Sequence, residues 1–176
     1  NFDITLIGVD SSKEAIGKYF CDSFYQVPFG TDENNYMTKI LELIKKHDVK
    51  IIIPASDEES LTLSKNKKDI NHLSCKLVVD NFEKIKILNN KLDTLKFLKK
   101  KKVDVPFWKQ IKYSDNLELC IDECLNSHEE LVLKSTCQRG SRAVFFIDKR
   151  KNIYDFSSNK ITLDKLVNSL KNKKEL

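Results

Sequence analysis

The sequence predicts an α/β protein in two parts. A parallel sheet with helices on both faces is expected over residues 1–89, and an α+β segment over residues 90–176. Three observations carry this reading. Short apolar runs alternate with helical periodicity through the first half, the pattern of strands joined by crossover helices. Near Asn89 two helical stretches meet and the alternation stops. The second half then holds two apolar runs around a short basic loop, LVLKSTCQRGSRAVFFI over residues 131–147. A connection that short excludes a crossover helix and pairs its strands antiparallel.

The elements follow in order. Residues 4–9 form an apolar strand ending at Asp10, and residues 24–27 a short second one. Residues 33–47 place Met37, Ile40, Leu41 and Ile44 on one face of an amphipathic helix. Residues 49–53 read as a buried strand closed by Pro54. Residues 56–69 read as a helix with Ser56 or Asp57 as N-cap and Glu59 in its first turn. Residues 76–79 are the next strand. Helices are expected over 81–88 and 90–101, then a linker containing Pro106 into a strand over 107–111. Residues 115–126 form a helix with Leu117, Cys120, Ile121, Cys124 and Leu125 on one face. After the two strands around the loop, residues 161–170 form the last helix.

The loop is where the chemistry concentrates. The chain has only three arginines, Arg139, Arg142 and Arg150, and two lie here beside Lys134, Ser135, Gly140 and Ser141. Arginine offers a planar bidentate fork that lysine lacks, hydroxyls add donors, and glycine lets a backbone approach a ligand closely. Together they fit a polyphosphate. The competing reading of Lys134 is a surface lysine at a hairpin. GxxxxGK[ST] is absent, so this is not a P-loop.

Composition bounds the alternatives. With 40% hydrophobic and 32% charged residues the chain is of ordinary globular composition. Its net charge of +5 is mild, and lysines are interleaved with Asp and Glu, which reads as a solvated surface and not a nucleic-acid stripe. The basic run Lys99–Lys102 sits at a helix end, where lysines suit the macrodipole. Five cysteines without a CxxC pair indicate free thiols in a reducing, cytoplasmic setting. No apolar run reaches the ~18–20 residues that cross a bilayer. The start, NFDITLIGVD, has neither a methionine nor a signal peptide and enters a strand at once, as an excised or trimmed piece would.

Other constellations carry less. Asp10 and Asp57 follow strands at what would be the carboxyl edge of the sheet, where ligands bind in open α/β sheets; for each alone a helix N-cap is the plainer reading. No GxGxxG is present, although a strand upstream could carry a glycine turn. Cys120, Cys124 and His128 have helical spacing, but structural zinc takes four ligands, and core thiols are the plainer reading. Cys137 lies among the arginines with no histidine near it in sequence.

Four segments in order resemble the ATP-grasp superfamily, with its carbamoyl-phosphate-synthase-large-chain-like members the nearest likeness. They are IGVDSSKEAIGKYFCDSFYQVPFG, IIIPASDEESLTLSKNK, ILNNKLDTLKFLKKKKVDVPFW and LVLKSTCQRGSRAVFFI. The family's Asp-Lys pair corresponds here to Asn90-Lys91. Its strand ending in lysine, followed by a phosphate-covering loop, corresponds to Lys134 and residues 135–142.

The resemblance implies a Rossmann-like pre-ATP-grasp domain over 1–89 and the small ATP-grasp subdomain over 90–176. It implies ATP phosphates at Lys91, Lys134, Ser135, Arg139, Gly140, Ser141 and Arg142. It also implies small-molecule carboxylate and amine substrates joined through an acylphosphate, with no nucleic acid or membrane as partner and a homodimer allowed. Ser135 replaces the usual proline, the loop is poor in glycine, and Asn90 stands for aspartate. The lobe whose acidic residues bind Mg²⁺ would lie beyond Leu176, so this chain is expected to be inactive alone. The contrasting expectations are a non-catalytic nucleotide- or anion-binding module and a flavodoxin-like regulatory domain.

Overall fold

The computed structural model describes residues 3–112, 114–136 and 143–171. The chain divides into two compact units, Asn1–Asn89 and Asn90–Leu176.

Unit 1 contains strands β1 (Ile7–Asp10), β2 (Ser23–Gln26), β3 (Ile51–Ile52) and β4 (Lys76–Leu77). Its helices are α1 (Glu33–His47), α2 (Asp57–Lys65), α3 (Lys67–His72) and α4 (Phe82–Asn89). β1 pairs in parallel with β2, and β3 with β4. Among the described residues no ladder joins the two pairs, so the expected continuous sheet is instead two separate two-stranded ladders.

One face of both ladders feeds a single core. Val9, Tyr25, Ile52 and Leu77 pack with Tyr36, Met37, Ile40, Leu43 and Ile44 of α1, Leu63 of α2 and Ile70 of α3. The stripe on α1 is wider than its sequence reading: Tyr36 and Leu43 are buried, while Leu41 only borders the core. Among the described residues, helices are seen to pack only on the core face and not on both faces as expected. The β1–β2 connection holds only a 3-10 turn, Ile16–Phe20, with no buried residue. Residues alternating with the core set are bare: Ile4 is 74% exposed, Leu6 53%, Ile51 57%, Ile53 74% and Val78 50%.

The helix expected over 56–69 starts as read and then breaks. Ser56 Oγ accepts from the Glu59 N–H at 3.2 Å, and Glu59 Oε2 accepts from the Ser56 N–H at 3.1 Å, which closes a capping box. Asp57 is therefore the first helical residue and not the cap. Asn66 ends α2 because its side-chain amide donates to the Thr62 carbonyl at 2.9 Å, competing with continuation of the helix. Asp10 caps no helix. Its Oδ1 accepts from the Ser12 N–H at 2.8 Å in a tight local turn.

Unit 2 contains α5 (Lys91–Lys100), α6 (Leu117–Leu125), β5 (Glu130–Lys134), β6 (Val144–Asp148), β7 (Ile153–Asp155), β8 (Lys160–Ile161) and α7 (Leu163–Lys171). The four strands form an antiparallel sheet in sequence order. Leu131, Leu133, Phe145, Ile147, Ile153 and Ile161 pack against Ile121 and Leu125 of α6 and Leu166 of α7.

Residues 107–111 form no strand. Phe107 stacks on the His128 ring at 4.3 Å and Lys109 pairs with Glu123, so this stretch is held by side chains without a ladder. The last helix begins after Ile161, because Lys160 and Ile161 pair with Tyr154 and Ile153. β7 and β8 escaped the sequence reading; they exist through pairing of β7 with β6 and of β8 with β7.

Two hairpins of one design join β6 to β7 and β7 to β8. Asp148 accepts from the Asn152 N–H and side-chain amide, and Asp155 accepts likewise from Asn159. Each turn is completed by a left-handed residue, Lys151 at φ 60° and Ser158 at φ 64°.

No helix among the described residues is long and apolar enough to cross a membrane.

Candidate functional site

The site is built where β5 ends. Strand alternation turns Leu131 and Leu133 to the core and Glu130, Val132 and Lys134 to the opposite face. Lys134 is exposed, pairs in register with Val144, and has no salt bridge among the described residues. By contrast Lys109, Lys149 and Lys151 are matched with Glu123, Glu129 and Asp122.

Beyond Lys134 the chain is pinned at two points. The Ser135 N–H donates to the Ala143 carbonyl at 3.3 Å, which closes the base of the loop. Ser135 itself is only 4% exposed. The next carbonyl, of Thr136, accepts from the Lys91 N–H at 2.9 Å. The N-terminus of α5 is thus tied to the chain two residues beyond Lys134, the last residue of β5.

The tie has an electrostatic consequence. The first three amides of α5 are all occupied: Lys91 by Thr136, and Leu92 and Asp93 by the Asn90 side chain at 3.0 and 3.1 Å. An anion here gains the favourable end of the helix dipole, but its direct donors have to be side chains. Asn90 thereby acquires a role that its sequence suggests only in part, that of N-cap.

Beside Lys134 the outer sheet face carries an apolar row. Val132, Phe146, Tyr154 and Lys160 are successive register partners across all four strands. Val132 is 50% and Phe146 42% exposed. The row ends on a lysine, and Lys134 lies two residues further along β5 on the same face. This surface can take a flat ring against the row and an anion at its basic margin. It was missed in the sequence, although Val132 and Phe146, apolar at outward positions of alternating strands, were the available signal.

Charge separates the two units. Residues 1–89 hold 12 basic against 14 acidic residues, a net of −2, whereas residues 90–176 hold 19 against 12, a net of +7. All three arginines belong to the second unit. Arg139, Gly140, Ser141 and Arg142, expected at the site, lie outside the described residues, as does Cys137.

Among the described residues no group of three or more His, Cys, Asp or Glu side chains converges as a metal site. Cys124 is buried against the core side of α6, and His128 Nδ1 lies 3.2 Å from the Cys124 carbonyl, not against a thiol. Among the described residues Cys120, Cys124 and His128 are not brought together as a group of metal ligands. Burial pushes the Cys75 thiol up from its ordinary value, in keeping with an inert core thiol.

The family described as PylC-like, N-terminal domain, matches residues 2–78. No curated protein matches the chain. Among solved structures it is similar to the biotin carboxylase domain dimer of the Hydrogenobacter thermophilus 2-oxoglutarate carboxylase, in complex with MgADP, ADP and bicarbonate. That likeness has a TM-score of 0.55 at 13% sequence identity and covers 96% of this chain and 35% of that chain. The chain therefore shares its fold with part of that domain and spans about a third of the length of the solved structure it matches.

Proposed function

We propose that the chain is the nucleotide-gripping part of an ATP-dependent carboxylate–amine ligase. The observation that supports this reading is the hydrogen bond from the Lys91 backbone N–H to the carbonyl of Thr136, two residues beyond Lys134 in a basic unit. Lys91 and Lys134 would meet phosphate oxygens. Arg139, Gly140, Ser141 and Arg142 belong to the loop that would close over them, and Ser135 would hold its base. The row Val132–Phe146–Tyr154 offers a surface for the flat end of the nucleotide.

ATP would supply a phosphoryl group that activates a carboxylate toward an amine. Among the described residues no group of three or more His, Cys, Asp or Glu side chains is placed to hold Mg²⁺. Within the ligases, the carbamoyl-phosphate-synthase-like placement rests on the order of the four sequence segments. The test is ADP release by the full-length protein against a panel of acids and amines, with and without Lys134→Ala. Release that depends on both an acid and an amine, and that falls in the variant, is the expected result. Tight nucleotide binding with no turnover on any pair would favour the non-catalytic module.

A further inference from the structure

Five lysines crowd the end of α5: Lys96, Lys99, Lys100, Lys101 and Lys102. All are exposed. None forms an ion pair among the described residues, whereas Lys84, Lys109, Lys149 and Lys151 each do. The acids nearest in sequence, Asp93 and Asp104, are exposed and take none of the five. The helix end does not need so much charge. Its dipole amounts to roughly half a negative charge, felt only within the last turn. Its closing carbonyls are already taken by backbone: Phe97 accepts from the Lys101 N–H at 3.1 Å, Lys99 from Lys102 at 3.0 Å and Leu98 from Val103 at 3.1 Å.

Helical spacing gathers these groups on one face. Leu92, Leu95 and Leu98 are the half-buried side of α5, and Lys96, Phe97, Lys99 and Lys100 are the exposed side. Lys96 and Lys100 lie one turn apart, as do Phe97 and Lys101. The Lys101 ammonium stands 5.7 Å from the Phe97 ring centroid. Lys102 then closes the helix in the left-handed region, at φ 60°, so the charged end is fixed by its own backbone bonds. Phe97 is 43% exposed and Val103, just past the cap, 49%. The face is therefore cationic with apolar side chains among the charges.

We propose that this face of α5 docks an acidic protein segment, with Asp and Glu side chains on the lysines and an apolar side chain on Phe97. Charge complementarity selects the partner, in a unit that already carries a net +7. Lysine is a compact point charge that meets carboxylates from many directions. Phosphodiester recognition draws on the arginine fork, and none of the chain's three arginines is in α5. Two half-exposed apolar side chains offer little to bury in a bilayer. Lys100 is about 14 Å along α5 from Lys91 by helical rise, and the inference does not depend on the ligase reading.

Fluorescence anisotropy of the full-length protein tests it, at physiological salt, with a fluorescein-labelled peptide of Glu and Asp around a central Phe-Leu pair. Combining Lys96→Gln, Lys99→Gln and Lys100→Gln should weaken binding about tenfold, because each exposed charge contact contributes only a little. Glutamine keeps the helix. A second triple variant, Lys45→Gln, Lys68→Gln and Lys76→Gln, removes the same charge from exposed positions of unit 1 and should change affinity by less than about twofold. Phe97→Ser should weaken the Phe-Leu peptide and leave a peptide with Gly-Gly in its place unchanged. Equal losses in the two triple variants overturn the proposal, since net charge alone would then attract the peptide. Absence of peptide binding overturns it as well. So does tighter binding, lost with the α5 lysines, to an oligouridylate RNA or to vesicles of phosphatidylserine and phosphatidylcholine.

Discussion

Lys91 donates its backbone N–H to the carbonyl of Thr136 at 2.9 Å, joining the first residue of α5 to the second residue after β5. The two residues are 45 positions apart in the chain, and no side-chain property of either announces the bond. It ties together two separate sequence features, Asn90-Lys91 and the chain that follows the lysine-terminated strand.

In the full-length protein, Lys134→Ala should weaken ATP binding far more than Lys100→Ala. A charge-assisted hydrogen bond to phosphate contributes on the order of 1.5–3 kcal/mol, or about ten- to a hundredfold in affinity. Lys100 is exposed in a solvated lysine run, where a charge contact contributes roughly 0–1 kcal/mol. Calorimetric titration of both variants reads the difference, and equal small losses would remove Lys134 from the site.

Comparison of Lys91→Pro with Lys91→Ala isolates the tie itself. Both remove the ammonium, but only proline removes the N–H. Lys91 is the first helical residue, where proline is tolerated, and Asn90 at φ −114° and ψ 115° already has the backbone that a following proline requires. Proline should cost about 0.5–1.5 kcal/mol more than alanine in urea unfolding of unit 2. Identical unfolding curves would show that the bond contributes nothing.

Ser56→Ala should destabilise unit 1 by about 0.5–2 kcal/mol through loss of the cap on α2. Gly30→Ala should destabilise it as well, because the new Cβ would stand 2.9 Å from the Glu59 amide nitrogen at that same helix start. Denaturant titrations monitored by circular dichroism measure both effects.

The twin hairpins should loosen in acid. The Asn152 side chain holds the Asp148 carboxyl below its ordinary value, and the Asn159 backbone N–H does so for Asp155. Both groups are lowered on folding, so their contribution is present above the unfolded aspartate value of about 3.9 and is lost as pH falls toward the lower folded values. Amide exchange at Asn152 and Asn159, followed by NMR from pH 6 down to pH 3, should show protection falling below about pH 4. Asp148→Asn and Asp155→Asn should make the respective hairpin insensitive over that range.

Much of the fold was legible because the strongest signals are local. The helix at residues 33–47 was readable from its apolar spacing, and Ser56 with Glu59 announced a capping box three residues apart. What failed depends on the rest of the molecule. A strand over 107–111 needs a partner and has none, whereas β7 and β8 exist only because β6 pairs with them in turn. The break at Asn66 turns on a side-chain amide reaching the Thr62 carbonyl, a choice that helical propensity does not register. Of the candidate site, Lys134 stood out in its basic loop and Lys91 only through the family resemblance, while the Thr136 carbonyl that accepts from the Lys91 N–H carries no sequence signal. The sheet row at Val132 and Phe146 could have been read from alternation and was not.

The two Asp–Asn hairpins also bear on the order in which unit 2 assembles. Each closes on itself over five residues, from Asp148 to Asn152 and from Asp155 to Asn159, so three of the four strands meet through contacts close in sequence. Such local closure carries little loop entropy and favours rapid folding. β6, β7 and β8 can therefore form a meander that is ready when β5 arrives, and β5, with Lys134 at its end, has only to add itself to an edge already in place.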